Sequence, residues 1–140
     1  MDAFDMIMVA LNFNVKINQR DLEGLVELMT EDHTFIDIPG EVHKGKDVMK
    51  KGWAEFFTKF PDYRNIFTDV KVRNNVVVML GYSTCSHKQL DGPSIWTAKI
   101  RNDRVSEWRV YEDTTSNRQQ LGIAAKMQSE YTKRIKKGED

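Results

Sequence analysis

One cysteine (Cys85), three histidines (His33, His43, His87) and three prolines are all that this 140-residue chain holds of the residues that staple, ligate or punctuate a fold. A lone thiol forms no internal disulfide, so a disulfide-framed secreted scaffold is excluded and a cytoplasmic setting is expected. Charge of one sign is lacking too. The 21 basic and 21 acidic residues cancel, leaving no net field to recruit nucleic acid or anionic lipid. No apolar run approaches the roughly 20 residues that cross a bilayer, and the opening Met1-Asp2-Ala3-Phe4-Asp5 lacks the basic start of a signal peptide. Neither a membrane span nor a leader is expected. Glycine-rich phosphate loops and nucleophile elbows are absent. Cys85 and His87 lie two apart on one strand, and His33 with Asp37 on another, but neither spacing is that of a ligand set. No metal and no cofactor are therefore expected.

What is present is an ordinary globular composition, 40% hydrophobic and 30% charged, at a length that suits one domain. Phe4, Ile7, Met8, Leu11 and Val15 recur at helical spacing, with Met6, Ala10, Phe13 and Ile17 as a second stripe beside them. A helix apolar on two sides is expected to be covered by the fold. Asp21 caps a second helix that turns Leu22, Leu25, Val26 and Met29 inward. Residues 33–38 read as a strand stopped by Pro39-Gly40. Gly45-Lys46-Asp47 opens a third helix, with Met49, Trp53, Phe56, Phe57 and Phe60 mostly on one side, and Pro61 ends it.

From residue 66 the period changes to two. Strands are expected over 66–73, 76–88, 94–101 and 104–113, joined by Asn74-Asn75, Asp91-Gly92-Pro93 and Asn102-Asp103. Four strands with short connections make an antiparallel meander. A last helix is expected from about Ser116, with Ile123, Met127, Tyr131 and Ile135 on one face. Helices segregated from strands define an α+β class. Residues 1–122 form the domain, and 123–140 a helical extension of it.

With the common catalytic signatures silent, the informative residues are acids set among aromatics. Asp37 follows Phe35 and Ile36 at the end of a strand, which places it at the rim of whatever that strand lines. A carboxylate so placed can accept and return a proton; it can equally cap the following turn through its side chain. On the last strand, alternation puts Trp108, Val110 and Glu112 on one face and Val105, Glu107, Arg109, Tyr111 and Asp113 on the other. Trp96, Ala98 and Ile100 share a face of the preceding strand. Two tryptophans, branched apolars and an acid on one face make a pocket wall, with Trp53 facing it and Glu112 as a second candidate acid.

Several stretches together resemble a known family. They are residues 18–32 (Asn-Gln-Arg-Asp-Leu-Glu-Gly-Leu-Val-Glu-Leu-Met-Thr-Glu-Asp), the strand entering Asp37, the Pro39-Gly40 turn, Gly45, Phe60-Pro61-Asp62, and Tyr111-Glu112-Asp113 with Gln120-Leu121-Gly122. Over about residues 3–122 the chain is similar to the nuclear transport factor 2-like superfamily, in its SnoaL-like, polyketide cyclase-like branch. The resemblance implies a cone: a curved antiparallel sheet wrapped around three helices of the N-terminal half, enclosing a pocket and pairing subunits through the outer sheet face. The extra C-terminal helix lies beyond it.

In the ketosteroid isomerase members of that superfamily an aspartate base works with a tyrosine and a protonated aspartic acid. Asp37 falls on the position of the base. Phe13 stands at the helix-one tyrosine, Trp96 at the protonated acid and Trp53 at a further tyrosine. The usual oxyanion donors are thus replaced, each such donor being worth about 3–4 kcal/mol in the transition state. The resemblance implies a pocket for a small apolar molecule, lined by Phe13, Trp53, Phe57, Trp96, Trp108 and Val110. Two functions are consistent with it. One is cofactor-independent isomerase, cyclase or dehydratase chemistry by Asp37 on an apolar carbonyl compound, and the other is a non-catalytic binding or dimeric assembly module. The strand over 76–86 is apolar on both faces, which fits one face on the helices and the other on a second subunit.

Overall fold

The computed structural model describes residues 1–124. Helix α1 (Ala3–Gln19) starts where the Asp2 carboxylate accepts from the Asp5 N–H, and it ends at Arg20 in the left-handed conformation. Helix α2 (Leu22–Glu27) is capped by Asp21, which accepts from Gly24 N. Strand β1 (Met29–Ile36) and the short β2 (Val42–Lys44) form a hairpin, followed by α3 (Lys46–Lys59). Then come β3 (Arg64–Arg73), β4 (Val76–Thr84), a 3₁₀ turn at Lys88–Leu90, β5 (Gly92–Arg101), β6 (Arg104–Glu112) and α4 (Thr115–Gln120). The class is α+β. One curved six-stranded sheet in the order β2-β1-β6-β5-β4-β3 carries α1, α2 and α3 on its inner face.

The meander β3 to β6 is antiparallel throughout, and β1 joins its edge parallel to β6. Both two-residue turns, Asn74-Asn75 and Asn102-Asp103, have positive φ at each position. Asparagine and aspartate tolerate that conformation best after glycine, and the resulting twist matches that of paired strands. Pairing begins at once on either side, Arg73 opposite Val76 and Arg101 opposite Arg104.

Several boundaries differ from the reading of the sequence. Met29 belongs to β1 and not to α2, because the chain leaves the helix at Leu28 and Met29 pairs with Val105. Strand β4 ends at Thr84 instead of running to residue 88, and β2 carries no period long enough to be seen in three residues. In α1 only one stripe is covered: Met6, Ala10, Phe13 and Ile17 are buried, while Phe4, Met8 and Val15 stay exposed. A helix laid on a single sheet has one face to bury. On β6 the alternation is broken by an extra residue, since Ile100 pairs with Val105 and Lys99 with Glu107. This bulge at Ser106 turns Val105 inward to join Trp108 in the core, correcting the face assigned to it above.

The main core packs α1, α2 and α3 against the sheet around Phe13, Leu25, Met79, Trp96 and Trp108. On the outer face Val78, Leu80 and Ile95 form a second cluster with Ile123, flanked by Tyr111 and Leu121. The chain's own segment after α4 therefore packs on this face. Gly122 turns that segment with φ +69°, so the helix expected from Ser116 stops at Gln120. Met127, Tyr131 and Ile135 lie outside the described residues.

Candidate functional site

A cavity of about 750 Å³ opens between the inner sheet face, α3 and the β1–β2 hairpin. Its rim carries Ile38 and Val48, which are 53% and 56% exposed, while Trp96 and Trp108 on its inner wall are completely or almost completely buried. Trp96 pairs with Val110 across β5 and β6, and Ala98 with Trp108; of the alternate residues read from sequence, Trp96, Trp108, Val110 and Glu112 line the cavity, and Ala98 and Ile100 do not. All three tryptophans of the chain line the cavity. Among the described residues no lysine or arginine lines it, whereas Asp37, Asp91 and Glu112 do.

Asp37 sits at the first turn position after β1. Its Oδ1 accepts from the Glu41 N–H at 2.8 Å, its backbone N–H donates to Glu41 O at 3.1 Å, and its carbonyl accepts from Gly40 N at 2.9 Å. These bonds close the loop that Pro39 and Gly40 open, Gly40 taking φ +93°. The second carboxylate oxygen, Oδ2, lies 3.2 Å from His43 Nε2. An ionised carboxylate only accepts, which assigns the imidazole proton to that nitrogen. The turn-capping reading and the rim reading of Asp37 therefore both hold, one on each oxygen. Phe35 packs on His43 and edge-on to Trp53, each with ring centroids 5.9 Å apart.

Asp37, Glu41 and His43 bring one potential ligand atom each within 4.8 Å of one another. The residues grouped with Asp37 are thus not His33, which is buried elsewhere with Nδ1 2.6 Å from Val105 O. Glu41 is exposed, and the Asp37 and His43 side chains are already bonded to each other and, through Asp37, to the hairpin backbone, so the arrangement reads as a hydrogen-bonded turn and is assigned no metal.

Of the other residues singled out from sequence, Trp53, Trp96, Trp108, Val110 and Glu112 are on the cavity wall. Phe13 and Phe57 are not: Phe13 backs Trp108 at 4.7 Å between centroids, and Phe57 backs Trp53 at 5.6 Å. Both lie one layer behind the wall, since α1 contributes no lining residue and α3 presents Met49, Trp53 and Phe56 to the cavity. The indole N–H groups of Trp53 and Trp96 are buried and have no hydrogen-bond partner.

Among the wall residues that the sequence reading did not assign to the site are His43, Tyr63, Asn65 and Ser83. The last three form a polar patch in an otherwise aromatic wall. Ser83 Oγ is 3.1 Å from the Tyr63 hydroxyl and 2.9 Å from Asn65 Oδ1. Asn65 is clamped to α1, its N–H donating to Asn18 Oδ1, its carbonyl accepting from Asn14 and Asn18 side chains, and its own amide donating to Asn14 Oδ1 at 3.1 Å. Arg20 adds a bond from its guanidinium to Tyr63 O at 2.6 Å. Burial pushes the Tyr63 phenol above its ordinary value, so it keeps its proton through neutral pH. The signal available in the sequence was Asn14 and Asn18, four apart on a helix whose buried stripe is otherwise apolar.

A curved, open six-stranded sheet with α1, α2 and α3 on its inner face is the cystatin-like, nuclear transport factor 2-like fold. The chain belongs to the SnoaL-like domain family, whose model matches residues 11–114. Among solved structures it is similar to an LEH-like epoxide hydrolase of M. tuberculosis (TM-score 0.68, 10% identity, 79% of this chain and 84% of that one). It is also similar to a candidate SnoaL-like polyketide cyclase from Shewanella putrefaciens (0.65, 17%, 81% and 83%). A candidate ketosteroid isomerase from Kribbella flavida gives 0.64, with 15% identity over 81% and 82% of the two chains. At these identities the likeness is one of fold. No curated protein matches the chain in sequence. Among the described residues no helix is long and apolar enough to cross a membrane.

Proposed function

We propose that the cavity binds a small, largely apolar carbonyl compound and that Asp37 moves a proton on it, in isomerase, cyclase or dehydratase-type chemistry. The observation that carries this reading is the Asp37–His43 carboxylate–imidazole pair on a cavity wall that also carries all three tryptophans. Asp37 takes a proton from the carbon beside the carbonyl and returns it to another position. The His43 N–H and the Glu41 N–H hold the carboxylate in place while its charge is lost and regained. Among the described residues no lysine or arginine lines the cavity, which disfavours anionic ligands, and three tryptophan faces favour flat ones.

The same carboxylate favours a second reading, a binding module without turnover, because each of its oxygens already accepts a bond within the hairpin. Exchange of α-protons for deuterium in a panel of bicyclic ketones, followed by NMR in D₂O, separates the two. Exchange catalysed by the native chain and lost in Asp37→Asn supports catalysis; exchange that survives the substitution overturns the role of Asp37. Ketones that bind without any exchange leave the binding module.

A further inference from the structure

We infer that Tyr63, with Ser83 and Asn65 behind it, is a hydroxyl-reading subsite: it accepts a hydrogen bond from an O–H donor at the buried end of the cavity's ligand. The inference rests on the reading of this cavity as a ligand site and adds which end of the ligand goes inward and what it must carry.

The argument is a count of protons. Asn14 fixes the orientation of the Asn65 amide, because Asn65 donates through Nδ2 to Asn14 Oδ1 while the Asn14 amide donates to Asn65 O. Asn65 Oδ1 therefore faces Ser83 and can only accept. Ser83 has one proton and two oxygen neighbours, Asn65 Oδ1 at 2.9 Å and Tyr63 Oη at 3.1 Å. Given to Asn65, that proton is unavailable to Tyr63, and the contact between Ser83 and Tyr63 is bonded only if the phenol donates to Ser83. The phenolic proton is then committed to the protein. Were the phenol to donate to a ligand instead, two oxygen lone pairs would face each other at 3.1 Å in a buried site, which is unfavourable. What Tyr63 has left to offer is a lone pair.

The setting makes that lone pair selective. Ser83 and Asn65 are buried, Phe56 closes on the Tyr63 ring edge-on at 4.9 Å, and among the described residues no lysine or arginine lines the cavity. A phenol, alcohol or enol hydroxyl satisfies the site, whereas an ether or ketone oxygen of the same shape meets like with like. One neutral hydrogen bond in such a place is worth roughly tenfold in affinity.

Equilibrium dialysis of the native chain against 2-naphthol, 2-methoxynaphthalene and naphthalene tests this, and it requires no turnover. The expected order has 2-naphthol bound roughly tenfold more tightly than the other two. In Tyr63→Phe that preference disappears while naphthalene affinity stays within about twofold, since only the hydroxyl is removed. In Ser83→Ala the phenolic proton is released, and the preference for naphthol over its methyl ether narrows. Circular dichroism verifies that each variant is folded, and the two variants together keep the test decisive if one is not. Equal binding of naphthol and its ether, or a preference that survives Tyr63→Phe, overturns the inference and leaves the cavity reading intact. Binding of none of the three overturns both.

Discussion

Substitution of Arg118 by methionine is expected to cost the chain a large share of its stability. Arg118 is 2% exposed, and its guanidinium meets the Asp113 carboxylate in a two-pronged bond, Nε to Oδ1 at 2.6 Å and Nη2 to Oδ2 at 2.8 Å. Both side chains of the pair are within 4% of complete burial, and Nη1 donates to Ala124 O at 2.6 Å. The pair ties α4 and the segment after it to the end of β6. Methionine preserves the aliphatic stem and removes the cation, so the buried carboxylate loses its two-pronged bond to the guanidinium. Breaking a buried pair from one side costs about 3–5 kcal/mol, against a total of about 5–15 kcal/mol for a domain. In urea, with a slope of about 2 kcal/mol/M, the midpoint should fall by roughly 2 M, and the thermal midpoint by roughly 6–20 °C. Tryptophan fluorescence reports the transition, because all three indoles are in the core or its cavity wall. The double variant Arg118→Met with Asp113→Leu should regain most of the loss, since the buried carboxylate is then removed as well. A single variant within about 1 kcal/mol of the native chain, or a double variant as unstable as the single, refutes the reasoning.

Three further outcomes are expected. His33 is fully buried with Nδ1 bonded to Val105 O and Nε2 unpartnered, and burial lowers its pKa from the ordinary 6.5, so the folded state resists the second proton that the unfolded chain accepts. Its contribution is complete above pH 6.5 and is lost as the pH falls through the lowered folded value, by up to about 1.4 kcal/mol per pH unit; His33→Gln should flatten this part of the stability profile, and identical slopes would exclude the effect. Gly81→Ala should destabilise by about 3 kcal/mol, because an added Cβ would stand 1.9 Å from Ile66 O and only separation of β3 from β4 can relieve it. Asn65→Leu should lower stability by about 1–3 kcal/mol, measured by urea titration, because the buried Asn14 Oδ1 loses its donor while Ser83 keeps only Tyr63.

Much of the fold was legible because its signals are local. The two turns Asn74-Asn75 and Asn102-Asp103 state their own conformation, and the alternation between them states which residues face the core. Asp21 and Pro61 mark helix ends by what their side chains do to the adjacent backbone. The bulge at Ser106 was invisible, since one additional residue in a strand changes no composition and shifts only the partner. Strand β2 escaped for a related reason: three residues carry no period, and their order comes from Thr34, Phe35 and Ile36 across the hairpin.

The candidate site divides along the same line. By sequence alone, the chain determined an aromatic wall on β5 and β6 and an acid at the end of β1, because a period of two fixes faces and a Pro-Gly stop fixes a rim. Only the tertiary structure decided what stands beside them. His43 reaches Asp37 through a hairpin, Tyr63 and Ser83 meet from different strands, and Asn14 and Asn18 reach Asn65 from a helix about fifty residues earlier in the chain. Hydrogen bonds between distant residues leave no periodic trace, since each needs only one donor and one acceptor brought to about 3 Å by everything else that folds.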